Sequence, residues 1–418
     1  MGKNNLLTKR GEKIAVGVSG GADSMALAML ARNWTKKYQI KLITFTVDHG
    51  LRLESKFEVN LVKNIMKKND ITHKTLVWKG IKPQSGIQEK ARTARYKLLA
   101  EACIKNNAKY ILLGHHKDDQ IETFIMRLTS NSGLDGLSCM SSENYLLTEA
   151  GPIKIIRPLL DINKKCLIEF CTEQKIKWIN DPSNKNFAYR RTQIRSINDS
   201  QINDDFYKTI IVYKKLKKSF NSYVENFIQD SFVYNKNGIC QFSREKFIRC
   251  PYIIQERFLK KIFFSIGGKT YPPKTKTIKR IIKNICSKKF SNATAGKVFF
   301  DIDNKVITVL RQPEPLIKHT PLLNKVTLWD KRFMVEVKFK SPDLSIGPLG
   351  EKDYVEMRKL KKVKKSDIHY YAVKTLPTIR SLDEIVCIPH LSYSKSKYWE
   401  KNIRVKYLYD KWLHLIET

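Results

Sequence analysis

Short apolar runs alternate with helical patterns through the first 200 residues of the chain. Four of these runs predict buried strands: Ile14–Ser19, Leu42–Val47, Thr75–Trp78 and Tyr110–Gly114. Between them, apolar side chains recur every three or four residues, as on one face of a helix. These helical sets are Phe57, Leu61 and Ile65, then Ala91, Ala94, Leu98 and Ala102, then Ile121, Phe124, Ile125 and Leu128. Strands that alternate with helices predict right-handed crossovers and a parallel sheet, which binds ligands at the carboxyl ends of its strands.

Beyond residue 200 the pattern becomes mainly helical and then returns to short strands. The polar stretch Ser196–Asp205 predicts a linker, and a long helical pattern follows over Tyr207–Asp230. Two apolar runs, Val298–Ile302 and Val306–Leu310, lie close together and predict a hairpin. The two prolines of Gln312–Pro315 interrupt regular structure and predict a further boundary.

These boundaries predict three domains in an α/β protein. Residues 1–200 form a parallel-sheet nucleotide-binding domain, residues 205–312 a mainly helical domain, and residues 316–418 a small α+β domain. A length of 418 residues agrees with two or three domains.

The charge of the chain indicates its partner. Lys and Arg number 78 against 40 Asp and Glu, a formal net charge of +38. Basic residues exceed acidic ones in both halves, so a single basic tail does not explain the excess. A positive field of this size favours binding to a polyanion such as nucleic acid, although a solvated basic surface is the alternative.

Apolar stretches and cysteines exclude several other classes of protein. The chain has no apolar run long enough to span a membrane and no secretory signal at its N-terminus, so we expect a cytoplasmic protein without a membrane partner. Its eight cysteines include no C-x-x-C pair. This spacing argues against zinc ribbons, thioredoxin-like redox sites and a disulfide framework.

A glycine-containing loop follows the first predicted strand. It consists of Ser19, Gly20, Gly21, Ala22, Asp23 and Ser24, and a helical pattern begins at Met25. Glycines at a helix N-terminus let backbone N–H groups approach phosphate oxygens. Ser19 and Ser24 can donate hydroxyl hydrogen bonds, and Asp23 can hold a Mg²⁺ ion that bridges phosphates. The loop matches neither the Walker nor the dinucleotide motif, and a simple strand-to-helix turn is the alternative.

Polar residues also follow the second and fourth predicted strands. Asp48 closes the second strand, where its carboxylate can bind a ribose hydroxyl or a metal. In the segment Gly114–Thr123, His115 and Asp119 are four residues apart, as are Asp118 and Glu122. This clustering predicts either a metal site or an acid–base site, and the absence of a nearby cysteine favours Mg²⁺ over structural zinc. A helix cap with exposed charges is the alternative.

Five arginines are candidates for phosphate or RNA contacts. Arg92 and Arg95 are three residues apart and Arg191 and Arg195 four apart, so each pair shares one helix face. Arg52 lies just after the second predicted strand. Guanidinium groups bind phosphate well, but a solvated helix face is the alternative for each pair.

Taken in order, these segments resemble the tRNA(Ile)-lysidine synthases, a family whose catalytic domain is a PP-loop ATP pyrophosphatase. The matches run from residue 19 to 195 and read SGGADS, TVDHGLR, ARTARY, LLGHHKDDQIETFIMRL, GLDGLS, RPLL, DPSN and an R-x-x-x-R pair. The resemblance implies a PP-loop catalytic domain over 1–200, a tRNA substrate-specificity domain over 205–312 and a C-terminal tRNA-binding domain over 316–418.

The resemblance also implies a reaction. ATP adenylates the wobble cytidine in the CAU anticodon of tRNA(Ile) and releases pyrophosphate, and free L-lysine then displaces AMP. Two alternatives remain, namely a PP-loop tRNA thiolase and a non-catalytic RNA-binding protein. A homodimer is a further expectation that stays open.

The implied site residues fall into four groups. ATP-binding residues are Ser19, Gly20, Gly21, Ala22, Asp23, Ser24, Asp48 and Gly114. Catalytic residues are Asp23, His115, Asp118, Asp119 and Glu122, of which Asp23 and Asp119 also bind Mg²⁺. The tRNA contacts are Arg52, Arg92, Arg95, Arg191 and Arg195.

Overall fold

The chain folds into two compact units. The computed structural model describes residues 11–50, 55–79, 85–148, 151–179, 193–194, 200–234, 237–268, 272–313, 319–323, 326–339, 343–363 and 368–408. The described residues from 11 to 217, apart from Gly151, belong to the first unit, and those from Lys218 onward belong to the second. No helix within these ranges is long and apolar enough to cross a membrane.

A parallel sheet forms the centre of the first unit. Its strands are β1 (Lys13–Gly17), β2 (Lys41–Asp48), β3 (Thr72–Val77), β4 (Ala108–Leu113), β5 (Glu143–Thr148) and β6 (Gly151–Ile156), in the order β3-β2-β1-β4-β6-β5. The β1–β2, β2–β3, β1–β4 and β4–β6 pairs are parallel. The predicted α/β class and the four predicted strands are therefore confirmed, with shifts of one to three residues at their ends.

Helices cover both faces of this sheet. They are α1 (Ala22–Tyr38), α2 (Ser55–Lys68), α3 (Ile87–Lys105), α4 (Lys117–Leu128), α5 (Leu134–Leu137) and α6 (Lys164–Glu173). Side chains alternate along β1, so Ile14 and Val16 pack with α1, α2 and α6, whereas Ala15 packs with α3 on the opposite face. A parallel sheet buried on both faces needs these near-continuous apolar strands.

The strand order places a binding crevice between β1 and β4. From β1 the chain continues to β2 and β3 on one side and then returns to β4 on the other side. Ligands of open α/β sheets bind where the strand order reverses in this way. The loop Ser19–Ser24 follows β1 and the segment from Gly114 follows β4, so the sequence motifs meet at this point.

Two details of the sequence-based prediction were wrong. The described part of the predicted linker, residues 200–205, is the start of the long helix α7 (Ser200–Ser231). Asp204 there pairs with Lys117 at 2.7 Å, which stabilises this helical start against α4. In α2, Phe57 is 73% exposed, because Val62 and Met66 make the buried face.

The second unit begins with helices packed on an antiparallel sheet. Its first elements are β7 (Phe232–Tyr234), β8 (Cys240–Ser243), α8 (Arg244–Arg249), α9 (Tyr252–Ser265), α10 (Thr275–Cys286), β9 (Ala293–Ala295), β10 (Val298–Ile302) and β11 (Val306–Arg311). The strands have the order β7-β8-β11-β10-β9, with helices α9 and α10 packed against them. The predicted hairpin is confirmed as β10–β11, in which Val298 faces Arg311 and Ile302 faces Ile307.

Two further antiparallel sheets follow. The elements are β12 (Thr320–Pro321), β13 (Val326–Trp329), β14 (Phe333–Val337), β15 (Leu344–Pro348), α11 (Glu351–Lys359), α12 (Tyr370–Val373), β16 (Pro377–Ser381), β17 (Glu384–Ile388), β18 (Tyr393–Ser394), α13 (Lys397–Asn402) and β19 (Ile403–Tyr407). One sheet has the order β12-β15-β16-β17-β18 and the other β13-β14-β19. These sheets agree with the predicted α+β class of this region.

A buried ion cluster connects the two parts of the second unit. Arg311, at the end of β11, donates from Nε and Nη2 to Asp330, both at 3.1 Å. Arg332 donates to the same carboxylate at 2.7 Å, and both arginines are almost fully buried. Burial alone would raise the pKa of Asp330, but the two guanidiniums outweigh it and lower that pKa. The division at residues 312–316 into two domains stays a prediction.

Asp330 generates the first test. Replacing Asp330 with Asn should lower the free energy of unfolding by about 3–5 kcal/mol, because two buried guanidiniums lose their counter-charge. Asn tolerates the positive φ of 47° at this position, so the backbone itself should not be strained. Urea denaturation measures the effect, with the exposed Asp343→Asn as the control. Equal stability of the two variants would contradict the role of the cluster.

Candidate active site

The loop Ser19–Ser24 is held in shape by its own hydroxyl groups. The Ser24 hydroxyl accepts a hydrogen bond from the Ser19 backbone N–H at 3.1 Å and donates to the Gly21 carbonyl at 3.0 Å. The Ser19 hydroxyl also donates a hydrogen bond to the Ser24 hydroxyl oxygen, at 3.3 Å. Ser24 therefore stabilises the turn from β1 into α1, in addition to any contact with a ligand.

The two glycines of this loop have different surroundings. Gly20 has a φ of +92°, and a Cβ there would lie 2.5 Å from the Cδ1 atom of Ile179. Gly21 is the N-cap of α1, and a Cβ there would meet nothing nearer than 3.9 Å. This open space adjoins the first N–H groups of the helix, where a phosphate is stabilised by the helix dipole.

Gly114 allows the end of β4 to approach the loop. A Cβ on Gly114 would lie 3.1 Å from both the Asp23 carbonyl oxygen and the Ser24 Cα. Both atoms belong to backbone, which cannot move aside as a flexible side chain can. The absence of a side chain at Gly114 therefore brings the following histidines next to Asp23.

His116 and three carboxylates form a charged cluster at this edge, which we call the His116 cluster. The Nε2 atom lies 3.5 Å from both Asp23 Oδ2 and Asp119 Oδ2, and Nδ1 lies 3.3 Å from Asp118 Oδ2. The side chain is almost fully buried. Burial alone would lower the pKa of His116, but the carboxylates outweigh it and raise that pKa to about 10. The imidazole is therefore protonated at neutral pH.

Two carboxylates of the His116 cluster also fix helix ends. Asp118 Oδ2 accepts from the Lys164 N–H at 2.8 Å, at the start of α6. Asp119 Oδ2 accepts from the His116 N–H at 3.1 Å, at the start of α4. Burial opposes ionisation of Asp118, but His116 and the Lys164 N–H outweigh it and lower its pKa to about 2. Asp118 is therefore ionised at neutral pH and is a weak base.

His115 has an electrostatic environment opposite to that of His116. Its burial and the positive charges of Arg157, Arg95 and Arg92 lower its pKa well below the usual value. Its Nδ1 atom is buried and makes no hydrogen bond with the described residues. Two consecutive histidines are therefore held in opposite protonation states, because carboxylates raise the pKa of His116, whereas burial and the charges of nearby arginines lower the pKa of His115.

The other predicted site residues have the following places. Asp48 lies at the carboxyl end of β2, and its Oδ1 accepts from the Gly50 N–H at 2.8 Å. Glu122 is buried on the second turn of α4. Arg92 and Arg95 lie over the Tyr96 ring on α3, at 5.1 and 5.4 Å from its centroid. Arg52, Arg191 and Arg195 lie outside the described residues.

Sequence reasoning did not predict the roles of two residues of this site. His116 precedes Asp118 and Asp119 with only Lys117 between them, a pattern that would have indicated a histidine paired with carboxylates. Arg157 lies behind His115, at the end of strand β6. Its position follows only from the pairing of β6 with β4, which no local pattern indicated.

Asp23 and Asp119 fit a Mg²⁺ ion that arrives with a nucleotide. Their Oδ2 atoms converge on one nitrogen of His116, and the Oδ1 atom of Asp23 is buried without a hydrogen-bond partner. Among the described residues, no group of three or more His, Cys, Asp or Glu forms a complete metal site. Mg²⁺ commonly uses one or two carboxylates and takes its other ligands from phosphates and water.

Comparison with known proteins identifies relatives over the whole chain. Residues 3–200 match a family of PP-loop domains. The tRNA(Ile)-lysidine synthase of Rickettsia felis is 31% identical over 409 residues, which covers 95% of this chain and 94% of that protein. The tRNA(Ile)-lysidine synthase of Rickettsia prowazekii is 32% identical over 411 residues, with the same coverage of both chains.

Among solved structures, a U34-tRNA thiolase from Methanococcus maripaludis is similar to part of the chain. It is 20% identical, with a TM-score of 0.42, and the match covers 50% of this chain and 73% of the thiolase. A similarity this low has no bearing on the choice between functions.

Gly114 provides a test of the site geometry. The Gly114→Ala variant should bind ATP at least about tenfold more weakly, because its Cβ pushes β4 away from the loop backbone. Gly133→Ala is the matched control, since a Cβ there meets nothing within 4 Å. Equilibrium binding of Mg-ATP, with a melting curve for each variant, gives the comparison. Wild-type affinity of Gly114→Ala would show that the close approach is not required.

Proposed function

The chain belongs to the tRNA(Ile)-lysidine synthase family, and we propose that it joins free L-lysine to the wobble cytidine in the CAU anticodon of tRNA(Ile), using ATP. The observation that supports this most is the contact of the loop Ser19–Ser24 with the end of β4 at Gly114. This contact supports a phosphate site beside a group of histidines and carboxylates, as a reaction of adenylation and proton transfer needs.

The first step is the adenylation of the base. The carbonyl oxygen of cytidine attacks the α-phosphorus of ATP, the bond to the β-phosphate breaks, and pyrophosphate leaves. A carbonyl oxygen is a poor leaving group, whereas its phosphoryl ester is a good one. We assign the departing pyrophosphate to the N-terminus of α1, with Gly20, Gly21 and Ala22 presenting backbone groups.

Carboxylates at the loop complete the nucleotide site in this proposal. Asp23 and Asp119 would hold the Mg²⁺ ion, which neutralises charge on the pyrophosphate. Asp48 lies one strand away, at the end of β2, within the region that the nucleoside would occupy. Gly114 lets the end of β4 lie against the loop, beside this nucleotide site.

The second step is the attack of lysine on the adenylated base. The ε-amine bonds to the ring carbon, the carbon–oxygen bond breaks, and AMP leaves with the oxygen. Lysine attacks only as the neutral amine, so a site residue must accept a proton. We assign this role to Glu122, because the lowered pKa values of His115 and Asp118 make both of them weak bases. Asp118 instead attracts the lysine ammonium group.

The alternatives differ in their nucleophile. A thiolase needs a sulfur donor, commonly bound through paired cysteines. The buried thiols of Cys103 and Cys171 have raised pKa values, because burial disfavours the thiolate. A non-catalytic RNA-binding protein has no need of the His116 cluster. The ligase proposal needs no reactive thiol and has a use for the His116 cluster, so it agrees with both observations.

Cell location and assembly stay proposals. We place the reaction in the cytoplasm, where ATP, free lysine and tRNA are all present. A homodimer stays a prediction.

Asp23 supplies the direct test of the chemistry. Asp23→Ala should reduce tRNA-dependent pyrophosphate release at least about a hundredfold, because the loop loses the carboxylate that offsets growing phosphate charge. The affinity for tRNA should stay close to that of the wild type. The exposed Asp205→Ala is the control.

The wild-type protein is then assayed with labelled lysine and with labelled sulfur. Incorporation of lysine into tRNA(Ile) is the expected result. Incorporation of sulfur would contradict the proposed function, as would near-normal pyrophosphate release by Asp23→Ala.

A basic face on helix α10 supports the tRNA substrate. Its exposed cations are Lys276, Lys279, Arg280 and Lys283, and Lys288 and Lys289 follow the helix. Acidic residues are absent from Lys274–Lys289, and the opposite helix face is buried in the core. Since side chains three and four positions apart are neighbours on a helix, these cations form one continuous strip.

Two cations of this strip, Lys279 and Lys283, differ from other surface lysines of the unit in their pairing. Lys246 pairs with Asp230 at 2.9 Å and Lys395 with Glu384 at 2.6 Å, as is typical of a mixed surface. In the described residues, Lys279 and Lys283 have no such ion pair. An unpaired strip of positive charge suits the phosphates of a tRNA backbone.

Two double variants test the strip. Lys279→Gln with Lys283→Gln should weaken tRNA binding and lower the slope of log K against log[salt] by about 1.4–1.8, if each lysine contacts one phosphate. Lys246→Gln with Lys395→Gln removes the same charge from paired lysines and should change the slope far less. If the two double variants changed the tRNA affinity and the salt slope equally, the strip would contribute only through the net charge of the protein and not through specific phosphate contacts. Filter binding at four salt concentrations makes the measurement.

A further inference from the structure

We propose that the second unit binds an unpaired nucleotide of the tRNA substrate on an aromatic surface with basic residues beside it, which we call the Tyr398 patch. The patch consists of Phe339, Tyr398 and Trp399 together with Lys338, Lys397 and Lys401. It lies where β14, α13 and β19 meet, in a different unit from the residues assigned to the reaction. The inference rests on the proposed function for the identity of the RNA and adds a separate contact to it.

Three aromatic rings of the patch contact one another. The ring centroid of Tyr398 lies 5.3 Å from that of Phe339 and 5.4 Å from that of Trp399, and the latter two are 5.8 Å apart. Phe339 and Trp399 are partly buried and pack against the core of the two antiparallel sheets. These two inner rings therefore hold the Tyr398 ring in one position.

Tyr398 is the outer ring of this cluster and is open to solvent. It is 53% exposed, whereas a cluster that only closed the end of the core would cover its outer ring. The backbone of Tyr398 is fixed as well, because its carbonyl accepts from Asn402 Nδ2 at 2.9 Å. An exposed ring that is already ordered suits stacking against the flat face of a nucleobase.

Three lysines lie beside these rings. Lys338 follows β14, and its N–H donates to the Asn402 carbonyl at 3.0 Å, which places it at the end of α13. Lys397 and Lys401 are four residues apart on α13 and so share one side of this helix. All three lysines are exposed, and none forms an ion pair with a residue that the structure describes. Their charges suit the phosphates on either side of a stacked base.

The acidic side chains of this region are near other groups. Burial and the charge of Glu400 raise the pKa of Cys387 to about 11, so Glu400 lies on the side of α13 towards β17. Glu336 on β14 stands opposite Arg404 on β19. Within the described residues, the lysines of the patch therefore keep their positive charge for an external anion.

Another exposed aromatic cluster of the same unit has a different charge environment. Tyr371 is 40% exposed, and its ring centroid lies 5.8 Å from that of His369. His369 lies 3.3 Å from Asp301, and Lys374 pairs with Glu351 at 2.9 Å. Carboxylates in these positions repel phosphates and neutralise the nearby cations, so this cluster does not suit RNA.

Two variants of Tyr398 test the stacking. Tyr398→Ala removes the ring and should bind a short single-stranded oligoadenylate and CAU-anticodon tRNA at least about fivefold more weakly, because stacking on an aromatic ring stabilises bound single strands. Tyr398→Phe keeps the ring and should keep both affinities. The control is Tyr223→Ala, which removes a tyrosine on α7 that is 64% exposed and should leave oligoadenylate binding unchanged.

The lysines are tested by the dependence of binding on salt. Lys397→Gln with Lys401→Gln should lower the slope of log K against log[salt] for oligoadenylate by about 1.4, if each lysine contacts one phosphate. Lys359→Gln with Lys362→Gln removes the same charge at the end of α11 and should change the slope far less. Fluorescence anisotropy at several salt concentrations makes the measurement, and melting curves show whether each variant is folded.

Four results would overturn the proposal. Wild-type affinity of Tyr398→Ala for either oligoadenylate or tRNA would show that the ring does not stack on a base of the substrate. An equal loss of affinity for a short RNA duplex would show that the surface does not select unpaired nucleotides. If Tyr398→Ala does not fold, equal salt slopes of the two double lysine variants would be the contradicting result. Because aromatic and basic side chains also bind membrane surfaces, vesicles containing phosphatidylglycerol are tested too, and loss of vesicle binding with unchanged RNA binding would assign the patch to a membrane.

Failure of the proposed function gives a different result. If the wild-type protein incorporates no lysine into tRNA(Ile), the assigned reaction is wrong. The binding of oligoadenylate still tests the Tyr398 patch in that case, because it needs neither ATP nor lysine.

Discussion

The close approach of two backbone segments at Gly114 is the constraint on which the site depends. A Cβ there would lie 3.1 Å from backbone atoms of Asp23 and Ser24, so glycine allows the contact without a shift of the backbone. The contact brings His116 within 3.5 Å of Asp23, and the carboxylates around His116 in turn hold the first turns of α4 and α6. The close approach at Gly114 therefore brings together the phosphate loop, the His116 cluster and the first turns of two helices.

Charge in the first unit is separated over a short distance. Carboxylates keep His116 protonated, whereas burial and the charges of nearby arginines keep His115, the preceding residue, neutral. This arrangement suits a reaction with two demands. Pyrophosphate and phosphate oxygens need positive charge and N–H donors, and a lysine amine needs negative charge to attract it and a base to accept its proton. Because its positive and negative groups are separated, one edge of the sheet can bind phosphates and also bind and deprotonate the lysine amine.

In the second unit, buried and exposed basic residues have different roles. Inside, Arg311 and Arg332 share Asp330 and stabilise the contact between two parts of the chain. Outside, α10 presents a strip of basic residues, of which Lys279 and Lys283 form no ion pair with the residues that the structure describes. The net charge of +38 alone does not separate these roles, because it counts buried and exposed cations equally. Burial decides which cations stabilise the fold and which remain for a polyanion.

By itself, the sequence determined the class of the fold, the loop Ser19–Ser24 and the carboxylates after β4, because alternation, glycine content and helical spacing are local properties. It placed Asp23, His115, Asp118 and Asp119 near one edge of a parallel sheet. Only the tertiary structure decided which charges face each other, because it paired His116 with three carboxylates. It also showed that residues 200–205, expected to be a linker, begin a helix, where Asp204 contacts Lys117. Contacts between distant residues depend on strand order and register, and no local pattern encodes them.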